Sequence, residues 1–151
     1  MKSTKKKEIV IIEDGDEYEA FAALFLSDRC RIRAYHTVSE ALQGLAETGA
    51  DGFLLDLRFD RSLESDLVGD IDSTATRLFA GDRDESVRYL KENQGTLALA
   101  ALRRAGYYAR ALFVHDFPKG RLDNLRRLYG DVKAVPSFDA ASIREALEID
   151  L

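Results

Sequence analysis

Three carboxylates in this chain stand directly behind short apolar runs. Glu13 and Asp14 follow Glu8-Ile9-Val10-Ile11-Ile12, and Asp56 follows Phe53-Leu54-Leu55. Runs of this kind read as buried strands, and the residue after such a strand sits at its carboxyl end. In an open α/β sheet that edge is where ligands bind. Acids gathered there repel one another, by about 1 kcal/mol per pair at ~4 Å even in water. They need a cation or raised pKa values. An all-oxygen donor set with room for water suits Mg²⁺. A carboxylate beside such an ion can act as a nucleophile in phosphoryl transfer. His115 ends another apolar run, and an imidazole with an unperturbed pKa of ~6.5 could charge near neutrality. No Ser-His-Asp spacing, Walker loop or GxGxxG motif follows a strand, and no other cofactor-binding residues stand out.

Five apolar runs supply strands to carry these residues: 8–12, 31–35, 52–56, 109–114 and 132–135. Helical spacing appears between them. Tyr18, Phe21, Ala22, Leu24 and Phe25 define a first helix with Asp16 as its N-cap. Thr37-Val38-Ser39-Glu40 has the form of a capping box and opens a second, ending near Gly49. Later helices span Leu97 to Ala105, Leu122 to Tyr129 and Ala140 to Leu147, the last with Asp139 as N-cap. Alternation of strand and helix at this spacing predicts an α/β, flavodoxin-like, doubly wound five-stranded parallel sheet in the order 2-1-3-4-5, with helices on both faces. That order sets the ends of the first and third strands side by side, and Glu13 and Asp14 next to Asp56.

Composition sets bounds on the partners. A net charge of −5 does not suit a nucleic-acid backbone. The basic run at Lys2 and Lys5-Lys6-Lys7 is expected to be a solvated tail over residues 1–7, ahead of a single domain at 8–151. One cysteine, Cys30, allows no internal disulfide. No stretch approaches the ~18 apolar residues of a membrane span, and no signal-peptide core follows the lysines, so a cytoplasmic setting is expected.

The chain resembles the receiver domain of two-component response regulators. The resemblance is carried by the acidic pair Glu13-Asp14, by Asp56, by Pro136 after the fifth strand and by the helix at Ile143 to Leu147. It covers about three quarters of the chain. It implies that Asp56 is a phosphoryl acceptor and that Glu13, Asp14, Asp56 and the Arg58 carbonyl hold Mg²⁺. It implies a sensor histidine kinase or another protein as partner, with a homodimer among the candidates.

The chain departs from that pattern at the positions that couple phosphorylation to movement. His115 stands where the fourth strand would end in Ser or Thr. Val135 stands where the fifth would end in Lys, and Val132 takes the place of the switch aromatic. Valine can neither donate a hydrogen bond nor carry charge. Lys119, Arg58 and His115 are the candidates to substitute. Asp56 and His115 are 59 positions apart, about twice the roughly 30 that the resemblance implies. The excess falls at about 57–94, read as an insertion with one helix of its own around Thr76 to Leu90 and a loop at Arg61 to Ser73, serving as a lid over Asp56, as a docking surface, or as a solvated elaboration without a function.

Three functions follow as expectations. The first is an atypical, pseudo-receiver-like signalling module that acts by protein–protein interaction, with phosphorylation-dependent switching in doubt. The second is a working receiver that takes a phosphoryl group on Asp56. The third is an aspartate-nucleophile phosphohydrolase, which wants an Asp two residues after the nucleophile and finds Arg58 there, with Asp60 two further on. A chain of this length is expected to carry no output domain, so either signalling form must act on another protein.

Overall fold

The β-branched run at the start of the chain forms a central strand because both its faces can be buried. In the computed structural model, which describes residues 6–149, β1 (Lys7–Ile12) pairs in parallel with β2 (Cys30–Tyr35) on one side and with β3 (Gly52–Leu55) on the other. β4 (Arg110–Val114) and β5 (Val132–Val135) complete an all-parallel sheet in the order 2-1-3-4-5. The expected topology is the observed one. Ile12 lies opposite Leu55, so Glu13 and Asp56 leave the sheet at the same level.

Alternate residues of β1 serve two cores. Ile9 and Ile11 pack with Tyr18 and Ala22 of α1 (Glu17–Phe25) and with Ile143 and Ala146 of α7 (Ala140–Ala146). Val10 and Ile12 face the other way. They meet Ala41 and Leu45 of α2 (Val38–Glu47), Leu99 and Leu102 of α5 (Gln94–Arg104), and Leu125 of α6 (Lys119–Tyr129). This period-two split is what a strand buried on both faces must show. Thr37 caps α2 by accepting the Glu40 N–H at 3.1 Å, and Asp139 accepts the Ala141 N–H at 3.2 Å, both as the sequence indicates.

The segment between β3 and β4 differs from expectation. It holds two helices, not one: α3 (Ile71–Leu78) and α4 (Arg83–Glu92), preceded by a 3-10 turn at Glu64–Asp66. The apparent single period from Thr76 to Leu90 runs across a turn in which Ala80 and Gly81 take φ of 51° and 87°. Asp70 and Asp82 each cap one of the helices. Leu57 and Phe59 are buried in the α2–α5–α6 core, so the segment starts as core before it becomes surface. Buried Gln94 closes its base: its amide accepts the Val68 N–H at 2.5 Å and donates to the Val68 and Leu90 carbonyls. α5 therefore begins at Gln94, three residues ahead of Leu97. At the other boundary β1 begins at Lys7, inside the expected tail, while residues 1–5 lie outside the described residues.

Candidate functional site

The carboxyl edge of the sheet carries an open cleft of about 370 Å³, lined by Asp14, Glu17, Tyr18, Asp56, Arg58, Asp60, Arg61 and Phe138. Asp14 comes from the loop after β1 and Asp56 from the end of β3, where its N–H still donates to the Ile12 carbonyl at 3.0 Å. The topology thus brings Asp14 and Asp56 together. Burial pushes the Asp56 carboxyl up to about 6, and the charges of Asp14 and Glu13 add to that; the N–H groups of Arg58 and Leu57 donate to it and oppose the rise. Half-buried acids this close are the situation in which a cation is most favourable.

Glu13 is turned elsewhere. Its carboxylate is buried and accepts the N–H groups of Tyr18 at 3.0 Å and Glu19 at 2.8 Å. It therefore caps α1 from outside the helix. Asp16, the residue expected to cap, makes no side-chain bond there. Burial raises the Glu13 pKa and the two N–H bonds work against it. Among the described residues no three acidic, His or Cys side chains are grouped to hold a metal ion. Two carboxylates, Asp14 and Asp56, are nevertheless a donor set that Mg²⁺ accepts when waters fill the other positions. A direct bond from Glu13 would require it to leave the helix.

Of the remaining positions singled out by sequence, all but Val132, which starts β5, lie at or near this edge. Arg58 lines the cleft, with its guanidinium 3.5 Å from Asp60 and 3.8 Å from Glu92. His115 is outside it. Its N–H donates to the Val135 carbonyl, and its ring meets Phe117 edge-on at 4.6 Å. Burial and the nearby Arg121 lower its pKa, against the pull of Asp116. Val135 packs against the core shared by α1 and α7, and Val132 is buried against the core on the opposite face. Lys119 starts α6 and does not line the cleft. Of the three candidates to replace the missing lysine, Arg58 alone reaches the cleft.

Four lining residues, Glu17, Tyr18, Arg61 and Phe138, are not marked by any motif. Tyr18, whose helical spacing marks it as core, turns its hydroxyl onto Asp56; burial and the Asp56 charge both raise its pKa. Phe138 stacks edge-on against Tyr18 at 4.8 Å and closes the side of the cleft nearest β5. An aromatic two residues beyond Pro136 in a polar loop was the available signal. Arg61 reaches back from the insertion. Its N–H donates to Asp14 Oδ2 at 2.6 Å, and its guanidinium binds both oxygens of Glu17, at 2.7 and 3.5 Å. Gly15 lies beneath, and a β-carbon there would collide with the guanidinium.

No protein-family model and no curated protein matches the chain. Solved structures do. The signal receiver domain of an HD domain-containing protein from Pseudomonas fluorescens Pf-5 is similar over 98% of this chain and 91% of its own, with a TM-score of 0.61 and 15% identity. That of a putative Luxo repressor protein from Vibrio parahaemolyticus matches over 95% and 92%, with a TM-score of 0.62 and 11% identity. That of the putative response regulator NarL from Mycobacterium tuberculosis matches over 95% and 94%, at 0.59 and 17%. With its strand order and these neighbours, the chain has the fold of a response-regulator signal receiver domain.

Proposed function

We propose that the chain is a receiver-like signalling module that acts by binding another protein, and that its state is set at the Asp14–Asp56 cleft without the usual route through the fourth and fifth strands. The observation that carries this reading is the pairing of a formed acid cleft with an edge at β4 and β5 that has no group to answer it. Asp14 and Asp56 share the cleft, while His115 stacks on Phe117 outside it and Val135 is packed with core residues. A signal needs contacts that differ between two states, and these two residues supply none to Asp56.

Phosphoryl acceptance by Asp56 is the form of this reading that the cleft favours. Asp56 lies in an open space, receives the N–H groups of Leu57 and Arg58, and has two guanidinium groups on the same walls. An Asp56 oxygen would bond to phosphorus as the phosphorus–nitrogen bond of a phosphohistidine breaks; the ring nitrogen keeps the electron pair and takes up a proton from water. Asp14 and Asp56 would hold Mg²⁺, whose charge offsets that of the acceptor and the incoming group. A hydrolase needs an acid poised to protonate a leaving group. Asp60 reaches the cleft, but it faces Arg58 at 3.5 Å. Intact mass after incubation with acetyl phosphate and Mg²⁺ tests the reading: a single adduct, absent in Asp56→Asn, supports acceptance. Mg²⁺ binding without an adduct leaves only constitutive partner binding.

A further inference from the structure

We propose that Arg61, carried by the insertion, is the cation that engages a phosphoryl group on Asp56, and that it leaves Glu17 to do so. The inference rests on the reading in which Asp56 accepts that group.

Phosphorylation replaces the single charge of the Asp56 carboxylate with close to two on the phosphoryl group, beside Asp14. Fixed positive charge must answer it, and the end of β5 offers Val135. Among the described residues the basic side chains that line the cleft are Arg58 and Arg61. Arg58 is shared between Asp60 in the cleft wall and Glu92 outside it. Arg61 has both its partners, Asp14 and Glu17, in the cleft wall. Its backbone is tied to Asp14, its guanidinium lies over Gly15, and its two-pronged bond is to Glu17, which lines the same cleft. Both members of that pair are well exposed, so the bond is cheap to break. A guanidinium grips two phosphoryl oxygens with the same fork it now offers to a carboxylate, and the dianion is the better partner. Gly15 has no side chain to block the movement.

The exchange also supplies an output. Arg61 belongs to the segment that leads into the 3-10 turn at Glu64–Asp66 and α3. Moving it from Glu17 to Asp56 would pull on the insertion, not on the loop after β4.

Beryllofluoride with Mg²⁺, which mimics an aspartyl phosphate without turnover, is the probe. Its affinity is read by calorimetry as a ratio to the affinity for Mg²⁺ alone, so that a looser seat of the segment cancels. Arg61→Gln is expected to lower the ratio about tenfold or more, the size of a lost charge-assisted bond. Arg61→Lys is expected to recover part of it, and Glu17→Gln, which frees the guanidinium, to raise it. A ratio unchanged by Arg61→Gln, with beryllofluoride binding still abolished by Asp56→Asn, would overturn the role of Arg61 and leave the acceptor reading standing. A wild-type protein that binds Mg²⁺ but no beryllofluoride would overturn the acceptor reading and the inference with it.

Discussion

Gly95 lies directly behind Asp56: a β-carbon on Gly95 would collide with the Asp56 carbonyl oxygen and approach Leu57 Cα to 2.7 Å. The Gly95 N–H donates to the Leu57 carbonyl at 2.8 Å, so the first turn of α5 and the loop after β3 are one packed unit. Gly95→Ala gains helix propensity of up to ~1 kcal/mol. It also forces backbone apart, which commonly costs about 1–3 kcal/mol. The net expectation is a loss of stability in chemical denaturation, with weaker Mg²⁺ binding because the loop that presents Asp56 must shift.

Glu13 and Asp16 should separate cleanly in a second test. Glu13 satisfies two N–H groups at the start of α1 from a buried position, whereas Asp16 caps nothing. Glu13→Ala leaves those donors without a partner and should destabilise the fold by about 2 kcal/mol. Asp16→Ala should change stability by no more than about 0.5 kcal/mol. Equal effects in urea titrations would show that the cap has been misassigned.

The pH dependence follows from Asp56. Its folded pKa of about 6 lies above the ordinary 3.8, so the folded state holds the proton more tightly than the unfolded chain. The associated stability is complete below about pH 4 and is lost as pH rises through about 6. Asp56→Asn removes the titration and can still accept the N–H bonds. It should therefore stabilise the protein at pH 7.5, by roughly 1–2 kcal/mol once partial exposure is discounted, and have little effect at pH 4. Thermal melts of both proteins at the two pH values give the comparison. Glu13, also raised, titrates in both proteins, so its own desolvation is common to the comparison and only its coupling to Asp56 differs.

Arg103 holds the opposite edge of the sheet together. Its buried guanidinium donates to the carbonyls of Tyr107, Ala109, Tyr129 and Asp131, tying the end of α5 to the starts of β4 and β5. Arg103→Met would strand those acceptors and should cost about 3 kcal/mol. Because the cleft is at the carboxyl end of the strands, Mg²⁺ affinity measured below the melting range should be unchanged.

Much of the fold was legible because its signals are local. Ile9 to Ile12 and Phe53 to Leu55 can be nothing but buried, and Thr37 with Glu40 and Asp139 ahead of Ala140 announce helix starts within four residues. In the insertion a local signal is overridden by a turn. Thr76 to Leu90 keeps a helical period, but the left-handed Ala80 and Gly81 fold it into a helical hairpin, in which Ala75 and Leu90 are buried. At the site, Asp14 and Asp56 were found from strand ends alone. The use of Glu13 as a cap was hidden because it lies three residues before the N-cap position and matches no short capping pattern. Arg61 joins Glu17 across 44 positions, a pairing only tertiary structure can make.

On this reading Asp56 receives the signal in this cleft, with Mg²⁺ held by Asp14 and Asp56. The most direct measurement is the intact mass of the wild-type protein after acetyl phosphate, with and without Mg²⁺, beside Asp56→Asn and Asp14→Asn. One phosphoryl adduct is expected, which requires Mg²⁺, disappears in Asp56→Asn and is strongly reduced in Asp14→Asn. An unmodified wild-type protein under conditions where Mg²⁺ is bound, or an adduct that survives Asp56→Asn, would contradict it.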